Sequence, residues 1–511
     1  MKVNQLKSGA LLSYVVMGLS NVVGLVYTPY MLRMMGQSEY GMYSLVASVV
    51  AYLTILDLGF GNTIVRYTAK FRAEGKQREL QAMYGMFVML YSLIGVIAFG
   101  AGMILYANVE TLFGATLTPA ELKTTRILML LMVFNLTFTF PFSIFGSIIT
   151  AHEKFVFLKV VQIGRILLNT LIMVVLLELG FRAIGMVVLI TVFNVSTQLL
   201  NFWYCRSKLR IKIRYVKFNW KFMGELAGYS FYIFLGAIID RLYWSSGQLV
   251  LGAFAGTAAV AVFAVAIQLE QMYMGFSTAI QGVFLPKVTA MATREKSEKE
   301  ISDLFIRTGR IQFVVMAFIL TGFILFGRQF IDLWAGKGYE DTYLITLCFF
   351  IPLIIPLIQN VGITILQARN QIKFRALLYI AIAVLSLVMQ LLLVKKYGGV
   401  GCAFAIGSAL VIGHVLIMNI YYFKKQAIDI PLFWKEIGKM AVAPAALGGV
   451  TFFILKQVDT SSVLNLALAI VLFSACYIPT FWFTSMNQYE RDLIYQPLKT
   501  GLTKLRAIVP I

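Results

Sequence analysis

The stretch Pro29–Lys76, PYMLRMMGQSEYGMYSLVASVVAYLTILDLGFGNTIVRYTAKFRAEGK, decides how the rest of the chain is read. Its middle, residues 41–65, is long enough to cross a bilayer as a slightly tilted helix, which takes about 20 residues. One acid, Asp57, sits inside that apolar run, followed by the turn-like Gly59-Phe60-Gly61-Asn62. Beyond it the chain turns basic, with Arg66, Lys70, Arg72, Lys76 and Arg78. A carboxylate near mid-membrane costs roughly 2.5–3.5 kcal/mol on insertion, so it marks a functional candidate. Two roles fit Asp57: a coupling site, or a clamp that pins one helix to another.

The same apolar character fills the chain. Of 511 residues, 59% are hydrophobic and 13% charged, against about 25% charged in a soluble domain; the mean hydropathy is +0.81. This is the composition of a polytopic membrane protein. The net charge of +21 would suggest nucleic acid in a soluble chain, but the excess of Lys and Arg in inner loops of membrane proteins explains it more simply, and no nucleic-acid partner is expected. Cys205, Cys348, Cys402 and Cys476 are scattered without paired spacing, so neither a disulfide framework nor a metal cluster is expected. The basic start and long apolar run of the N-terminus predict an uncleaved first span.

Fourteen spans are expected, at 10–32, 41–65, 81–106, 125–149, 156–179, 183–204, 223–249, 257–286, 311–334, 342–366, 374–394, 399–422, 437–456 and 463–485. With the N-terminus inside, the inner segments hold 33 of the 44 Lys and Arg and the outer segments 9, which predicts both termini in the cytoplasm. The longest loops, around 205–222 and 287–310, are basic and are expected to be helical on the membrane surface. No loop is long enough for a soluble domain and no GxxxxGK[ST] occurs, so energy must come from a gradient or another subunit.

Sliding the sequence on itself by about 217–220 residues brings Met34-Met35-Gly36-Gln37 onto Phe254-Ala255-Gly256-Thr257 and Asp57 onto Ser277. Weak internal symmetry of this kind is a transporter signature. It predicts an all-α architecture of two pseudo-symmetric six-helix lobes, 1–222 and 223–425, with two further helices and a cytoplasmic tail in 426–511.

The intramembrane polar residues gather in few spans. In the seventh, Asp240, Arg241, Trp244 and Gln248 recur at helical spacing. In the eighth, Gln268, Gln271, Gly275, Thr278 and Gln281 form a stripe with Glu270 beside it. Lining of a cavity and an interhelical hydrogen-bond network both fit. Guanidinium groups bind phosphate by paired hydrogen bonds, which makes Arg241, Arg66, Arg165 and Arg33 head-group candidates, together with Asn62. Arg33 and Arg66 also fit snorkelling at helix ends. Asp57, Asp240 and Glu270 are candidates for H+ or Na+ coupling. His414 fits a proton relay or a structural partner. No other cofactor is implied.

The runs PYMLRMMGQSEYGMYSL and YLTILDLGFGNTIVRYTAKF resemble the polysaccharide (O-antigen and exopolysaccharide repeat-unit) flippases of the multidrug/oligosaccharidyl-lipid/polysaccharide exporter superfamily. The likeness is most specific over residues 1–80 and rests on hydropathy beyond them. It implies a two-lobed, V-shaped bundle, not an enzyme, that moves undecaprenyl-pyrophosphate-linked oligosaccharides across the bacterial inner membrane by alternating access, in company with membrane lipids and polysaccharide polymerase machinery. In the related lipid II flippases the last two helices hold the lipid tail, which makes spans 13–14 a candidate groove. A cation-coupled multidrug or small-molecule exporter of the same superfamily is the alternative. A membrane glycan polymerase or ligase would need a long outer loop with catalytic groups, and the outer loops are short.

Overall fold

The computed structural model describes residues 4–215, 224, 234–293, 298–369, 371–493 and 495; within it every regular element is helical. The helices are α1 (Gln5–Met35), α2 (Gln37–Leu53), α3 (Phe60–Ala73), α4 (Gln77–Ala107), α5 (Val109–Phe113), α6 (Pro119–Ala151), α7 (Phe155–Glu178), α8 (Ala183–Ser207), α9 (residues 234–244) and α10 (Ser246–Phe254). There follow α11 (Gly256–Thr293), α12 (Glu298–Trp334), α13 (Asp341–Ile358), α14 (Val361–Ala368), α15 (Ile372–Leu410), α16 (Asn419–Gln426), α17 (Ile430–Leu455) and α18 (Val463–Thr484).

Twelve helical runs among the described residues are long and apolar enough to cross a membrane. One of them, the 54-residue run Lys373–Gln426, is interrupted at Gly398 (φ 52°, ψ −132°), so it holds both spans expected at 374–394 and 399–422. The span expected at 223–249 is described from residue 234 onward, where it is not one helix: α9 ends at residue 244 and α10 begins at Ser246 and runs on to Phe254. The protein is thus an all-α, multi-pass membrane protein, and fourteen is an approximate count of its spans.

The helices fall into two compact units: Met1–Ile267 with Ala383–Ile406, and Gln268–Ile382 with Gly407–Ile511. In unit 1, α4 packs on α6, α6 on α8, and α1 on α7. Two groups of its polar contacts lie at opposite ends. At one, Glu121 closes a capping box with Thr118 at the start of α6 and accepts from Ser38 (2.6 Å) and Thr257 (2.7 Å). There too Glu39 accepts from the Ala183 amide (3.2 Å) and Tyr30 donates to Glu178 (2.6 Å). Acids at helix starts satisfy free amides and the helix dipole together. Gly41 is needed at this end, because a Cβ there would collide with the Thr257 carbonyl. At the other end, Arg72 donates to the Ala151 carbonyl (3.1 Å) and Gln5 accepts from the Val156 amide (3.3 Å). These two groups are the loops that the Lys/Arg pattern sorts to opposite sides.

Of the loop expected to be helical at 205–222, residues 205–207 close α8, residues 208–215 are not helical, and residues 216–222 lie outside the described residues. The sequence Leu209-Arg210-Ile211-Lys212-Ile213-Arg214 alternates apolar and basic with period two, which suits an extended chain with one face packed. Leu209, Ile211 and Ile213 pack on the unit 1 core, while Arg210, Lys212 and Arg214 are exposed. Residues 298–310 are helical, as the first turns of α12.

Unit 2 carries an ion cluster at the basic end of α12. Arg310 donates through Nε to Glu490 (2.6 Å), through Nη1 to Glu436 of α17 (2.7 Å), and through Nη2 to the Ser485 carbonyl (3.1 Å) after α18. Arg310 and Glu490 are both buried. The cluster and the Phe318–Phe473 and Phe318–Tyr477 ring contacts fasten the last two helices to α12. Removing one partner of a buried charge pair costs about 3–5 kcal/mol. Glu490→Ala is therefore expected to lower the thermal unfolding midpoint of the purified protein by several degrees and to speed proteolysis after α17. An unchanged midpoint would show that the cluster contributes no attachment energy.

Candidate functional site

The second span is broken where its acid sits. After α2 the chain makes a short 3-10 turn, Thr54–Asp57, then two residues in the left-handed region, Leu58 (φ 52°) and Gly59 (φ 71°), before α3 begins. Gly59 adopts this conformation without cost; Leu58 does so at roughly 1–2 kcal/mol. The break exposes amides and carbonyls that lipid cannot satisfy, so protein groups must serve them. The Asp57 carboxylate accepts from the Tyr91 hydroxyl of α4 (2.8 Å) and from the Gly59 amide. Tyr91 is buried among Phe60, Phe87 and Phe140, in the aromatic core of α3, α4 and α6. Asp57 therefore clamps the break to α4.

Below the break, α3 buries Phe60, Thr63, Ile64 and Thr68, and turns Asn62, Arg66 and Lys70 to one exposed face at i, i+4, i+8. Arg66 stands about 9 Å along the axis from Phe60 at 1.5 Å per residue. Above it, Tyr52 near the end of α2 lies within electrostatic range of Arg241 of α9. Asp240 is exposed, whereas Arg241, Trp244 and Gln248 are half-buried. The buried side of α9 and α10 holds Tyr243, whose hydroxyl donates to the Ile406 carbonyl (2.6 Å), and Ser246, bonded to Gln390 (3.1 Å). Unit 1 thus places Asp57 at the helix break, Asn62 and Arg66 in the turns of α3 that follow it, and Arg241 within range of Tyr52, which precedes it.

Other expected residues lie elsewhere. Arg33 is in the last turn of α1, at the Tyr30–Glu178 end, and is not brought to Arg66. Arg165 is half-buried on α7, which packs against α1 and α8, one turn from Asn169. In unit 2, Gln271 and Thr278 are exposed and Gln268 is half-buried on α11, whereas Glu270 is buried on a different face. Gln281 donates to the Asn360 carbonyl (3.2 Å), and Ser277 donates to the Leu357 carbonyl (3.0 Å), both at the break between α13 and α14. His414 lies in a π-helical segment, Val411–Met418. Its Nδ1 is 3.2 Å from the Tyr379 hydroxyl, and the Arg375 guanidinium stacks over the Tyr379 ring. Asn419 donates to the His414 and Val415 carbonyls that the π turn loosens (2.9 and 3.0 Å). Among the described residues no cluster of His, Cys, Asp and Glu is placed to hold a metal.

Sequence reasoning missed Tyr91, Tyr52 and Tyr379. Each is a tyrosine in an apolar run, and the signal for it was a hydroxyl that needs a partner inside a span.

A helical membrane protein with interrupted spans and ionisable groups at the interruptions is the class these features define. The chain belongs to the polysaccharide biosynthesis protein family, whose model matches residues 6–292. It is 24% identical over 315 residues to a Haloferax volcanii protein named as a low-salt glycan biosynthesis flippase, Agl15, covering 60% of this chain and 61% of that protein's length. It is 19% identical over 400 residues to a Shigella flexneri protein named as an O-antigen transporter, covering 77% of this chain and 92% of the other. The structure superposes on the lipid II flippase MurJ in its inward closed conformation with a TM-score of 0.68 and 17% identity, over 92% of this chain and 98% of that one. This last likeness establishes the fold.

The Asp57–Tyr91 bond can be tested as a clamp. Tyr91→Phe leaves a buried carboxylate short of a donor, at about 1–3 kcal/mol, while Asp57→Asn keeps an acceptor. Thermal unfolding should show a larger loss for Tyr91→Phe, and the double variant should be no worse than Tyr91→Phe alone. Strictly additive losses would rule the clamp out.

Proposed function

We propose that this protein is a flippase that carries lipid-linked oligosaccharide repeat units across the bacterial inner membrane by alternating access, with both termini in the cytoplasm. The observation that carries this reading is the broken second span, with Arg241 above the break and the Asn62–Arg66 face of α3 below it, in a chain of the polysaccharide biosynthesis family. A sugar head group with an undecaprenyl-pyrophosphate linkage needs what such a face offers: guanidinium groups for phosphate oxygens and amides for hydroxyls. The polyprenyl tail stays in lipid, with α17 and α18 as its groove. In unit 1, Arg241 and Arg66 are the head-group ligands of first rank, followed by Asn62, Trp244 and Gln248; in unit 2, Gln268, Gln271 and Gln281 of α11 are candidates in their own right. Arg165 and Arg33 are of second rank, because they stand on other helices or at the far end.

Uphill transport by this chain would draw on an ion gradient. Asp240, an exposed acid beside a guanidinium, is the leading coupling group for H+ or Na+. Asp57, Glu270 and His414 follow, since each is bonded or buried within its own unit. The lobes 1–222 and 223–425 would rock about the site, and polymerase machinery would take the product.

Deleting the gene and assaying lipid-linked units by leaflet tests this reading. The expected result is loss of surface glycan with intact units held on the cytoplasmic leaflet. Units accumulating on the outer leaflet would point to a polymerase or ligase, and normal glycan with new drug sensitivity to an exporter. Arg241→Ala and Arg66→Ala should each cut surface glycan at least about tenfold, given roughly 1.5–3 kcal/mol per charged hydrogen bond, with protein still in the membrane. Normal glycan in either variant removes that arginine from the head-group set.

A further inference from the structure

At the basic end of unit 1, the segment 208–215 forms one wall of a cavity of about 130 Å³, open to the surface, with the start of α4, the end of α3 and the residue after α6. A single water needs only about 10–15 Å³, so the space admits a polyatomic group. Its polar lining is Arg72, Gln77, Gln81, Tyr84, His152, Arg210 and Lys212, and no carboxylate lines it among the described residues. Three permanent cations and two amides line one cavity, and among the described residues no carboxylate pairs with those cations.

The segment is built in place rather than draped. The Arg214 amide donates to the Gln81 carbonyl (3.1 Å) and the Ile211 amide to the Cys205 carbonyl (3.0 Å). Gly85 has no Cβ, and one would collide with the Arg214 carbonyl. Arg210 is held in the left-handed region (φ 51°), a conformation that costs a non-glycine residue roughly 1–2 kcal/mol. Arg72 is fixed through its bond to the Ala151 carbonyl. His152 has its Nδ1 committed to the Ile148 carbonyl (2.9 Å). Burial first, with Arg72 and Lys154 adding to it, holds its pKa below the usual histidine range, so the ring stays neutral and does not crowd the cavity with a further charge. A basic loop that served only to orient the chain would need neither a cavity nor a strained arginine in its wall.

We propose that this cavity is an anion site for a phosphate group, separate from the route through the membrane. Guanidinium, ammonium and amide donors in a small, acid-free space match the oxygens of a phosphate monoester or diester. Free phosphate and the head group of an anionic lipid share that chemistry. The site stands whether or not the chain moves glycans.

The test uses the full-length protein in nanodiscs of phosphatidylcholine alone or with added phosphatidylglycerol, at constant ionic strength. Radiolabelled inorganic phosphate gives the affinity, and native mass spectrometry counts retained phosphatidylglycerol. Arg210→Asn with Lys212→Gln removes the two charges that the segment turns to the cavity, while asparagine keeps the left-handed backbone. Gly85→Ala displaces the segment with its charges retained. Saturable phosphate binding that weakens at least about tenfold in the double variant, and falls in Gly85→Ala, supports the site. If phosphatidylglycerol leaves that binding intact, free phosphate is the occupant. If phosphatidylglycerol abolishes it, or if only a retained lipid is lost in the variants, the occupant is a head group. Unsaturable phosphate binding with no variant-sensitive lipid overturns the proposal, as does binding equal in wild type and Gly85→Ala.

Discussion

A single hydrogen bond, from the Tyr91 hydroxyl to the Asp57 carboxylate, makes the rest of unit 1 comprehensible. A helix interrupted inside a bilayer needs protein groups to serve its freed backbone, and a carboxylate there needs a donor. The bond supplies the donor, the Gly59 amide supplies a second, and the aromatic core around Tyr91 holds the geometry. With the break fixed, α3 emerges at a set angle, with its apolar residues on the core and its polar face outward. A polar helix inside the membrane is tolerable only on such terms.

The second half answers the same constraint differently. The register that places Asp57 on Ser277 puts a small hydroxyl where the first half has an acid. Ser277 lies on an unbroken α11 and spends its hydroxyl on the carbonyl of Leu357, at a break in another span. Once its amide is turned to satisfy its neighbours, Gln312 of α12 donates to the Leu357 and Ile358 carbonyls at that same break. Unit 2 thus also serves an interrupted span with polar side chains from neighbouring helices.

Much of this was legible in the residues. Apolar runs and the Lys/Arg bias gave the helical architecture and the sorting of loops, because both follow from local chemistry. Asp57, Asn62 and Arg66 were visible as polar residues out of place. What made Asp57 a clamp was not visible, since Tyr91 lies 34 residues away on another helix. The Arg310 cluster joins residues 126 and 180 positions apart, beyond the reach of any local pattern. The segment after α8 is a different case. Its alternation of leucine or isoleucine with cations was plain, but the habit of reading basic loops as surface helices hid it. The π turn around His414 left no mark in its own composition, and the Asn419 amide that serves its carbonyls lies four and five residues further on.

The ion cluster at Arg310 also has a meaning in time. Synthesis proceeds at about 5–20 residues per second, and Glu490 lies 180 positions after Arg310. For roughly 10–40 seconds, therefore, the arginine has no access to its principal partner, and α12 waits in the membrane with a guanidinium bound by water or lipid phosphate at its basic end. Docking of α17 and α18 replaces those temporary ligands with Glu436 and Glu490. A chain that stops between Glu436 and Glu490 has only one of the two carboxylates in place, and its arginine stays half-paired until the last residues are made.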